Sequence, residues 1–207
     1  TALGKEKIHP VMMPSPYSSE HSIGDSIQLC ENLGITPLKI GISEIYQNFL
    51  DATQPAFEGK PFNVAEENIQ ARIRGTLLMA LANKHGYILL NTSNKSELAV
   101  GYGTLYGDMA GGLSVIGDLY KTEIYEMCRY INRNGGVIPE NILTKAPSAE
   151  LRPGQKDSDS LPEYELLDRV LFQYIECQKG PDEIIFQGFD ESLVQRILKM
   201  VNSNEYK

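Results

Sequence analysis

Residues 89–121 read LLNTSNKSELAVGYGTLYGDMAGGLSVIGDLYK, and the order of residue types in this stretch decides how the chain folds around it. An apolar run at 87–90 predicts a buried strand, and the polar turn that begins at Thr92 supplies hydroxyls and a cap for the next helix. Glu97 lies one turn into that helix. A glycine-rich loop with five glycines at 101–112 then lets backbone amides approach a phosphate closely, and Lys121 adds a mobile positive charge. Together these parts predict chemistry on a nucleotide.

Strands alternate with helices in the apolar periodicity of the rest of the chain. Further strands are predicted at 8–13 and 35–40. Helices are predicted at 22–33, 43–50, 64–84, 120–133, 163–177, 181–187 and 191–201, with Ser43 and Asp190 as N-caps and Pro181 in a first turn. This order predicts an α/β fold with a mostly parallel, doubly wound sheet that binds its ligands beyond the carboxyl ends of the strands.

Two segments lack apolar periodicity and are predicted to be loops. Residues 53–63 contain two prolines and a glycine. Residues 144–162 are long enough to be a mobile lid or a disordered segment. Asp157, Asp159 and Glu163 are interpreted as a solvated acidic stretch before a helix, with a role in the lid as the alternative. The region 163–207 that follows is predicted to be helical.

Composition narrows the class of protein. The 207 residues are interpreted as a single partial domain, 1–207, that begins inside the fold, because the first residues resemble the end of a helix. A net charge of −8 argues against nucleic acid or an anionic membrane as the main partner. The three cysteines are far apart and form no zinc or disulfide pattern, which favours a cytoplasmic protein.

Six stretches resemble the synthetase domain of NAD synthetases, in the same order and with compatible spacing, and the bacterial glutamine-dependent branch most closely. They are MPSPYSSEHS (13–22), NIQARIRG (68–75), NTSNKSE (91–97), GDLYKTEIY (117–125), PSAELRPGQKDSDSLP (147–162) and NEYK (204–207). The resemblance implies an adenine-nucleotide α-hydrolase-like fold of the ATP pyrophosphatase group. The first strand of that fold is expected to lie outside the sequence.

The resemblance also implies a two-step reaction. ATP adenylates the nicotinate carboxylate of deamido-NAD and releases pyrophosphate, and ammonia then displaces AMP to give NAD. Mg²⁺ and cationic side chains would offset the charge of the phosphates. A glutaminase domain would supply the ammonia in the full-length protein, and the synthetase domain would form a dimer or a higher homo-oligomer.

Matching positions imply the site residues, none of which is assigned a catalytic role. The residues implied in ATP binding are Thr92, Lys121 and Ser148. The residues implied in deamido-NAD binding are Asn68, Arg72, Glu97, Tyr206 and Lys207. Glu97 is also the implied Mg²⁺ ligand. Met12 and Met13 would end the strand next to the adenine pocket.

The chain departs from the family pattern at several positions. The phosphate loop SGGxDS is absent and is expected a little upstream of residue 1, so we expect little or no synthetase activity from the chain alone. The ammonia-dependent branch often has an arginine, a lysine and an aspartate where this chain has Met12, Leu105 and Gly112. We transfer no role to these three residues.

Each site residue also has an ordinary structural interpretation. Glu97 alone would stabilise a helix N-terminus, and Lys121 alone would be a solvated charge. Arg72 is about as well suited to pair with Glu66 or Glu67 on its own helix. Two other functions stay open: another adenylating amidotransferase of the same group, and a nucleotide-binding module without catalysis.

Overall fold

Helices dominate the computed structural model of the protein, which describes residues 3–207. The α-helices are α1 (Glu20–Leu33), α2 (Ser43–Phe57), α3 (Val64–His85), α4 (Lys95–Ala99), α5 (Lys121–Asn132), α6 (Glu140–Thr144), α7 (Tyr164–Leu171), α8 (Pro181–Phe186) and α9 (Glu191–Ser203). The strands are β1 (Val11–Met12), β2 (Leu38–Lys39), β3 (Leu90–Asn91) and β4 (Leu113–Ser114). None of the helices in residues 3–207 is both long and apolar enough to cross a membrane.

The strands pair in parallel, as predicted. Within residues 3–207 they form two separate ladders, β1 with β2 and β3 with β4. The rings of His9 and Tyr87, which precede β1 and β3, stack with their centroids 4.4 Å apart. The amino-terminal ends of β1 and β3 therefore lie side by side.

The long helix α3 begins and ends where the sequence predicts. Asn63 accepts a hydrogen bond from the backbone of Ala65 (2.8 Å), and the Glu66 carboxylate accepts one from the backbone of Asn63 (2.8 Å). Gly86 ends the helix in the left-handed conformation at φ 70°. One face of α3 packs on α2 through the buried cluster of Ile42, Tyr46 and Ile73.

The C-terminal helices enclose a larger apolar cluster, as the predicted helical region 163–207 implies. Its buried members are Val100, Tyr120, Leu161, Leu167, Val170, Leu171, Ile184, Val194, Ile197 and Leu198. Val100 follows α4 and Tyr120 precedes α5. The same cluster therefore fixes the end of α4 and the start of α5, the helices on either side of the glycine-rich loop.

The prediction of a loop at 53–63 is wrong for its first half, because α2 continues through Pro55 to Phe57. A proline near the end of a helix costs one backbone hydrogen bond, and the Thr53 hydroxyl donates to the Phe49 carbonyl (2.8 Å) within the same turns. Ser43 is also not the N-cap. Ile42 occupies that position and makes no side-chain cap bond.

Other boundaries differ from the prediction by a few residues. The predicted strands at 8–13, 35–40 and 87–90 shorten to the two-residue ladders, since only those residues find a partner strand. Strand β4 forms directly after the predicted glycine-rich loop, and neither β4 nor the short helix α6 was predicted. The helix predicted at 163–177 changes to a π-helical turn at Phe172–Glu176.

Candidate functional site

A cavity of about 350 Å³ opens between the start of α4, the start of α5 and the segment 144–162. It is lined by Thr92, Ser93, Glu97, Tyr102, Asp108, Lys121, Tyr125, Ile142, Lys145, Pro147, Ser148, Ala149 and Asp157. The three residues predicted to bind ATP, Thr92, Lys121 and Ser148, thus share one cavity with the predicted metal ligand Glu97.

Glu97 and Lys121 form an ion pair in the cavity wall. The Lys121 Nζ lies 3.2 Å from the Glu97 Oε1, and the two side chains are only 22% and 19% exposed. The backbone of Asn94 donates to the Glu97 Oε2 (3.4 Å), and the backbone of Glu97 donates to the Asn94 side chain (3.0 Å). Glu97 therefore caps α4, as its ordinary structural interpretation says, and also faces the cavity.

Two tyrosines meet a buried carboxylate beside this ion pair. The hydroxyls of Tyr102 and Tyr164 donate to Asp157 at 3.0 and 2.8 Å, and the Lys121 Nζ lies 5.4 Å from the centre of the Tyr164 ring. Burial, followed by the negative charge of Asp157, raises the pKa of both tyrosines. They stay protonated donors at neutral pH. The interpretation of Asp157 as solvated is wrong, because it is 5% exposed.

Asp108 lies at the rim of the cavity, in the glycine-rich loop. Its Oδ1 accepts a hydrogen bond from the backbone of Thr104 (2.6 Å). The surrounding protein desolvates the carboxylate and raises the pKa of Asp108; the charge of Glu97 acts in the same direction, and the hydrogen bond opposes it. Glu97, Asp108 and Asp157 thus place three carboxylates in the wall of one cavity.

The segment 144–162 closes one side of the cavity and is anchored at several points. Glu150 accepts hydrogen bonds from the Ser19 hydroxyl (2.8 Å) and the Ser22 hydroxyl (2.6 Å) at the start of α1. Burial alone would raise the pKa of Glu150, but these hydrogen bonds and the charge of Lys145 lower it overall. On α3, the buried Gln70 side chain donates to the Leu151 carbonyl (2.7 Å).

Ser148 organises a turn in this segment. Its hydroxyl donates to the Gln155 carbonyl (2.6 Å) and accepts from the Glu150 backbone (3.1 Å). Ser148 lines the cavity, and its hydroxyl is already used within the turn. A ligand at this position would meet a preformed wall.

Three residues predicted to bind deamido-NAD lie outside the cavity and contact the glycine-rich loop behind it. The Thr104 hydroxyl donates to the Asn68 side chain (2.7 Å), and the Arg72 Nε donates to the Leu105 carbonyl (3.3 Å). The Lys207 ammonium donates to the carbonyls of Gly101 (2.6 Å) and Gly103 (3.1 Å). Tyr206, by contrast, is 71% exposed and lies apart from these contacts.

The positions that depart from the family pattern do not line the cavity. Met12 pairs with Lys39 in the β1–β2 ladder, the Leu105 carbonyl accepts from Arg72, and Gly112 donates its N–H to the Leu89 carbonyl (2.8 Å) beside the β3–β4 ladder. Within residues 3–207 Arg72 makes no ion pair with Glu66 or Glu67. Glu67 instead pairs with Arg152 at 3.4 Å.

Sequence reasoning missed several residues of the cavity. Tyr102, Asp108, Tyr125, Lys145 and Asp157 line it without having been predicted as site residues. The sequence does not single out Asp108, because Asp is common in ordinary turns. It does not single out Asp157 either, because one of its tyrosine partners, Tyr102, lies 55 positions away.

Comparison with known proteins identifies relatives along the whole chain. The family model described as NAD synthase matches residues 1–207. The glutamine-dependent NAD(+) synthetase of Synechocystis sp. is 53% identical over 206 residues, which cover 100% of this chain and 37% of that protein. The chain therefore spans little more than a third of the length of this curated relative.

Solved structures give the same result. The glutamine-dependent NAD+ synthetase of Acinetobacter baumannii, solved in complex with ADP, is 42% identical with a TM-score of 0.68 and covers 99% of this chain and 37% of its own. The NMN synthetase of Francisella tularensis is 28% identical with a TM-score of 0.78 and covers 95% of this chain and 74% of its own. These structures share the adenine-nucleotide α-hydrolase fold that the sequence predicts. The chain belongs to the NAD synthase family.

Proposed function

We propose that the chain provides the ATP side of a ligase that adenylates the nicotinate carboxylate of deamido-NAD and replaces the AMP by ammonia. The observation that carries this proposal is the Glu97–Lys121 ion pair, which lines one cavity together with Thr92 and Ser148. A carboxylate is a poor electrophile until it carries a good leaving group. Adenylation supplies one, and amidation of the acyl adenylate then releases AMP.

The cavity residues are suited to a ligand that carries the negative charge of phosphates. Lys121 would neutralise the phosphates of ATP and the developing charge of the departing pyrophosphate. The polar turn at Thr92 and the turn held by Ser148 would contact the nucleotide from opposite sides. The Tyr102 and Tyr164 hydroxyls are occupied by Asp157, so they shape the wall and leave the phosphate to Lys121.

Glu97 is suited to hold Mg²⁺ together with phosphate oxygens. Mg²⁺ sites in nucleotide enzymes use one or two carboxylates and complete the octahedron with phosphates and water. No group of three or more His, Cys, Asp or Glu side chains within residues 3–207 is placed to hold a metal ion by itself. A metal at Glu97 therefore needs the nucleotide as a co-ligand, and it would supply charge neutralisation there.

Deamido-NAD would bind along the glycine-rich loop. Asn68, Arg72 and Lys207 approach the loop from α3 and from the end of the chain. Their amide, guanidinium and ammonium groups are typical partners of ribose hydroxyls and pyrophosphate. Tyr206 is exposed next to Lys207 and would reach the dinucleotide at its outer edge.

We infer partners from the same family relationship. A glutaminase domain would supply ammonia, as the names of the relatives imply. Two copies would pack through α3, on which Val64 and Met79 are exposed. Light scattering of the chain would give twice the mass of one copy if this proposal is right.

The cellular setting follows from charge and thiols. Cys30, Cys128 and Cys177 are all free, and the exposed Cys177 would oxidise readily outside a reducing compartment. A net charge of −8 disfavours nucleic acid as a partner. We propose a cytoplasmic protein that acts on small nucleotides.

Calorimetric titration of the chain with deamido-NAD and, separately, with ATP plus Mg²⁺ tests the proposed ligands. Both are expected to bind saturably. Arg72→Ala should weaken deamido-NAD binding by about tenfold or more, the usual loss for a hydrogen bond to a charged group. Lys84→Ala, at the exposed end of the same helix, is the matched control and should change nothing. A folded chain that binds neither ligand contradicts the proposal.

A second substrate deserves a direct comparison because one structural relative is an NMN synthetase. Nicotinate mononucleotide carries the same carboxylate but lacks the adenylate half of deamido-NAD. Tighter binding of deamido-NAD in the same titration supports the proposed substrate. Tighter binding of the mononucleotide assigns the chain to the other amidation.

A further inference from the structure

A buried carboxylate on α7 connects the two elements that carry the Glu97–Lys121 pair. Asp168 is 4% exposed. Its Oδ1 accepts from the hydroxyl of the fully buried Ser96 (2.5 Å). Its Oδ2 accepts from the backbone N–H (2.9 Å) and the hydroxyl (2.8 Å) of Thr122. Every group that bonds to this carboxylate is a donor, as a buried anion requires.

The same network reaches the backbone of Lys121. The Lys121 N–H donates to the Ser96 Oγ (2.8 Å), and the Ser96 hydroxyl in turn donates to Asp168. The first N–H groups of a helix have no partner within the helix. In α5 the N–H groups of Lys121 and Thr122 are satisfied by Ser96 and Asp168. The positive end of the α5 dipole, at the start of the helix, also stabilises the negative charge of Asp168.

The network sets the relative position of the two charged side chains. Ser96 immediately precedes Glu97 on α4, and Thr122 immediately follows Lys121 on α5. Asp168 holds Ser96 and Thr122 with its two oxygens, so it fixes both helix starts to a third helix. A second link, from the Lys95 N–H to the Leu119 carbonyl (2.8 Å), joins the same two segments.

We propose that Asp168 is a positioning residue that holds the Lys121 ammonium against Glu97 and so prepares the phosphate side of the cavity for Mg·ATP. This role rests on the proposed function of the cavity. Asp168 does not line the cavity. Its effect passes through Ser96 and Thr122, and it should therefore concern Mg·ATP and leave deamido-NAD unaffected.

The test compares the affinities of the chain for the two ligands by calorimetry. Asp168→Asn should weaken Mg·ATP binding by about tenfold, the lower range for loss of a group that orients a ligand-binding residue, and should change deamido-NAD binding by less than about twofold. Ser96→Ala removes the link between the Lys121 N–H and Asp168, leaves the two hydrogen bonds from Thr122 to Asp168 in place, and should give the same selective loss. In a Lys121→Gln background, Asp168→Asn should cost about twofold or less, because residues that act through one another are not additive.

Val170→Ala is the matched control. Val170 is fully buried on the same helix and contacts the apolar cluster, so its loss lowers the melting temperature without touching the polar network. The selective loss in Asp168→Asn and Ser96→Ala, with Mg·ATP binding retained in Val170→Ala, supports the positioning role. Equal loss of both ligands, or the same Mg·ATP loss in Val170→Ala, overturns it. A folded wild-type chain that binds no Mg·ATP overturns the function proposed for the cavity, and the positioning role with it.

Discussion

Glu97 caps α4, and we propose that the same carboxylate binds Mg·ATP; a substitution can separate the two roles. Glutamine keeps the hydrogen bond of a capping box and loses the charge. Glu97→Gln should therefore change the free energy of unfolding by no more than about 0.5 kcal/mol, while Mg·ATP affinity falls by about tenfold or more. Urea denaturation and calorimetry on the same sample check the two effects.

The opposite result is expected from the partner in the cap. The Asn94 side chain accepts a hydrogen bond from the backbone N–H of Glu97. Asn94→Ala should therefore lower the free energy of unfolding by about 1 kcal/mol. Asn94→Ala should weaken Mg·ATP binding less than Glu97→Gln does. Should Glu97→Gln destabilise the fold as much as Asn94→Ala does and leave Mg·ATP binding intact, Glu97 would be a capping residue only.

At this scale, sequence predicted the residues that lie within one continuous stretch. Thr92, Glu97 and Lys121 are at most 29 positions apart, and local cues place them at the start of a helix or the end of a strand. Asp157 and Asp168 escaped notice because their meaning depends on Tyr102 and Ser96, which reach them only in the folded chain.

Helix α3 crosses the glycine-rich loop at Gly75 so closely that a side chain does not fit. A Cβ at Gly75 would lie 2.8 Å from the Gly107 carbonyl oxygen and 3.0 Å from that of Tyr106. Gly75→Ala gains helix propensity but pushes the loop away, and we expect a net loss of about 1–2 kcal/mol in the free energy of unfolding. Thermal or urea denaturation measures it.

Gly24 provides the matched control, because it lies within α1 and a Cβ there meets nothing within 4 Å. Gly24→Ala should stabilise the protein by about 0.5–1 kcal/mol, the ordinary gain for this change in an exposed helix. A similar gain from Gly75→Ala would mean that α3 and the loop are not in contact.

The attachment of segment 144–162 to α1 should depend on pH. The pKa of Glu150 lies below its ordinary value of 4.5, so the unfolded state takes up the proton more readily. The contribution of Glu150 is therefore complete above that pH and is lost as the pH falls through the lowered pKa. Glu150→Gln should cost about 1 kcal/mol at pH 7, a value that allows for partial exposure, and much less at acid pH.

Urea midpoints of Glu150→Gln and the wild type at pH 7 and at acid pH check this dependence. Glu126→Gln, on the exposed side of α5, is the control and should behave as the wild type at both pH values. A difference that stays constant with pH would show that the hydrogen-bonding shape of Glu150, and not its charge, anchors the segment.

The elements that sequence predicted best are those with several local signals in agreement. Helix α3 has a capping box, a long apolar pattern and a terminal glycine, and its bounds were predicted to within one residue. The β4 strand has only two paired residues inside a glycine-rich stretch, and its existence depends on β3. Helix α2 continues past Pro55, which the prolines and glycine of this stretch did not predict, and the Thr53 hydroxyl bonds to the Phe49 carbonyl in the turn before it.

Two apolar clusters and one polar segment hold the whole molecule together. The cluster between α2 and α3 and the larger C-terminal cluster are joined by residues 144–162, which bond to α3 through the Gln70 side chain and to Tyr164 of α7 through Asp157. We infer a single folding unit. Urea unfolding followed by far-ultraviolet and by tyrosine near-ultraviolet circular dichroism should give one coincident transition. Two separated transitions would contradict this inference.

The formation of NAD tests the central claim most directly. The matching 206-residue part of the Synechocystis enzyme is replaced by this chain, and NAD is measured after addition of deamido-NAD, ATP, Mg²⁺ and ammonium. We predict synthesis within about tenfold of the parent enzyme, and a loss of about 100-fold or more with Glu97→Gln. A folded hybrid that forms no NAD while the parent does so would contradict the account and favour a nucleotide-binding module without catalysis.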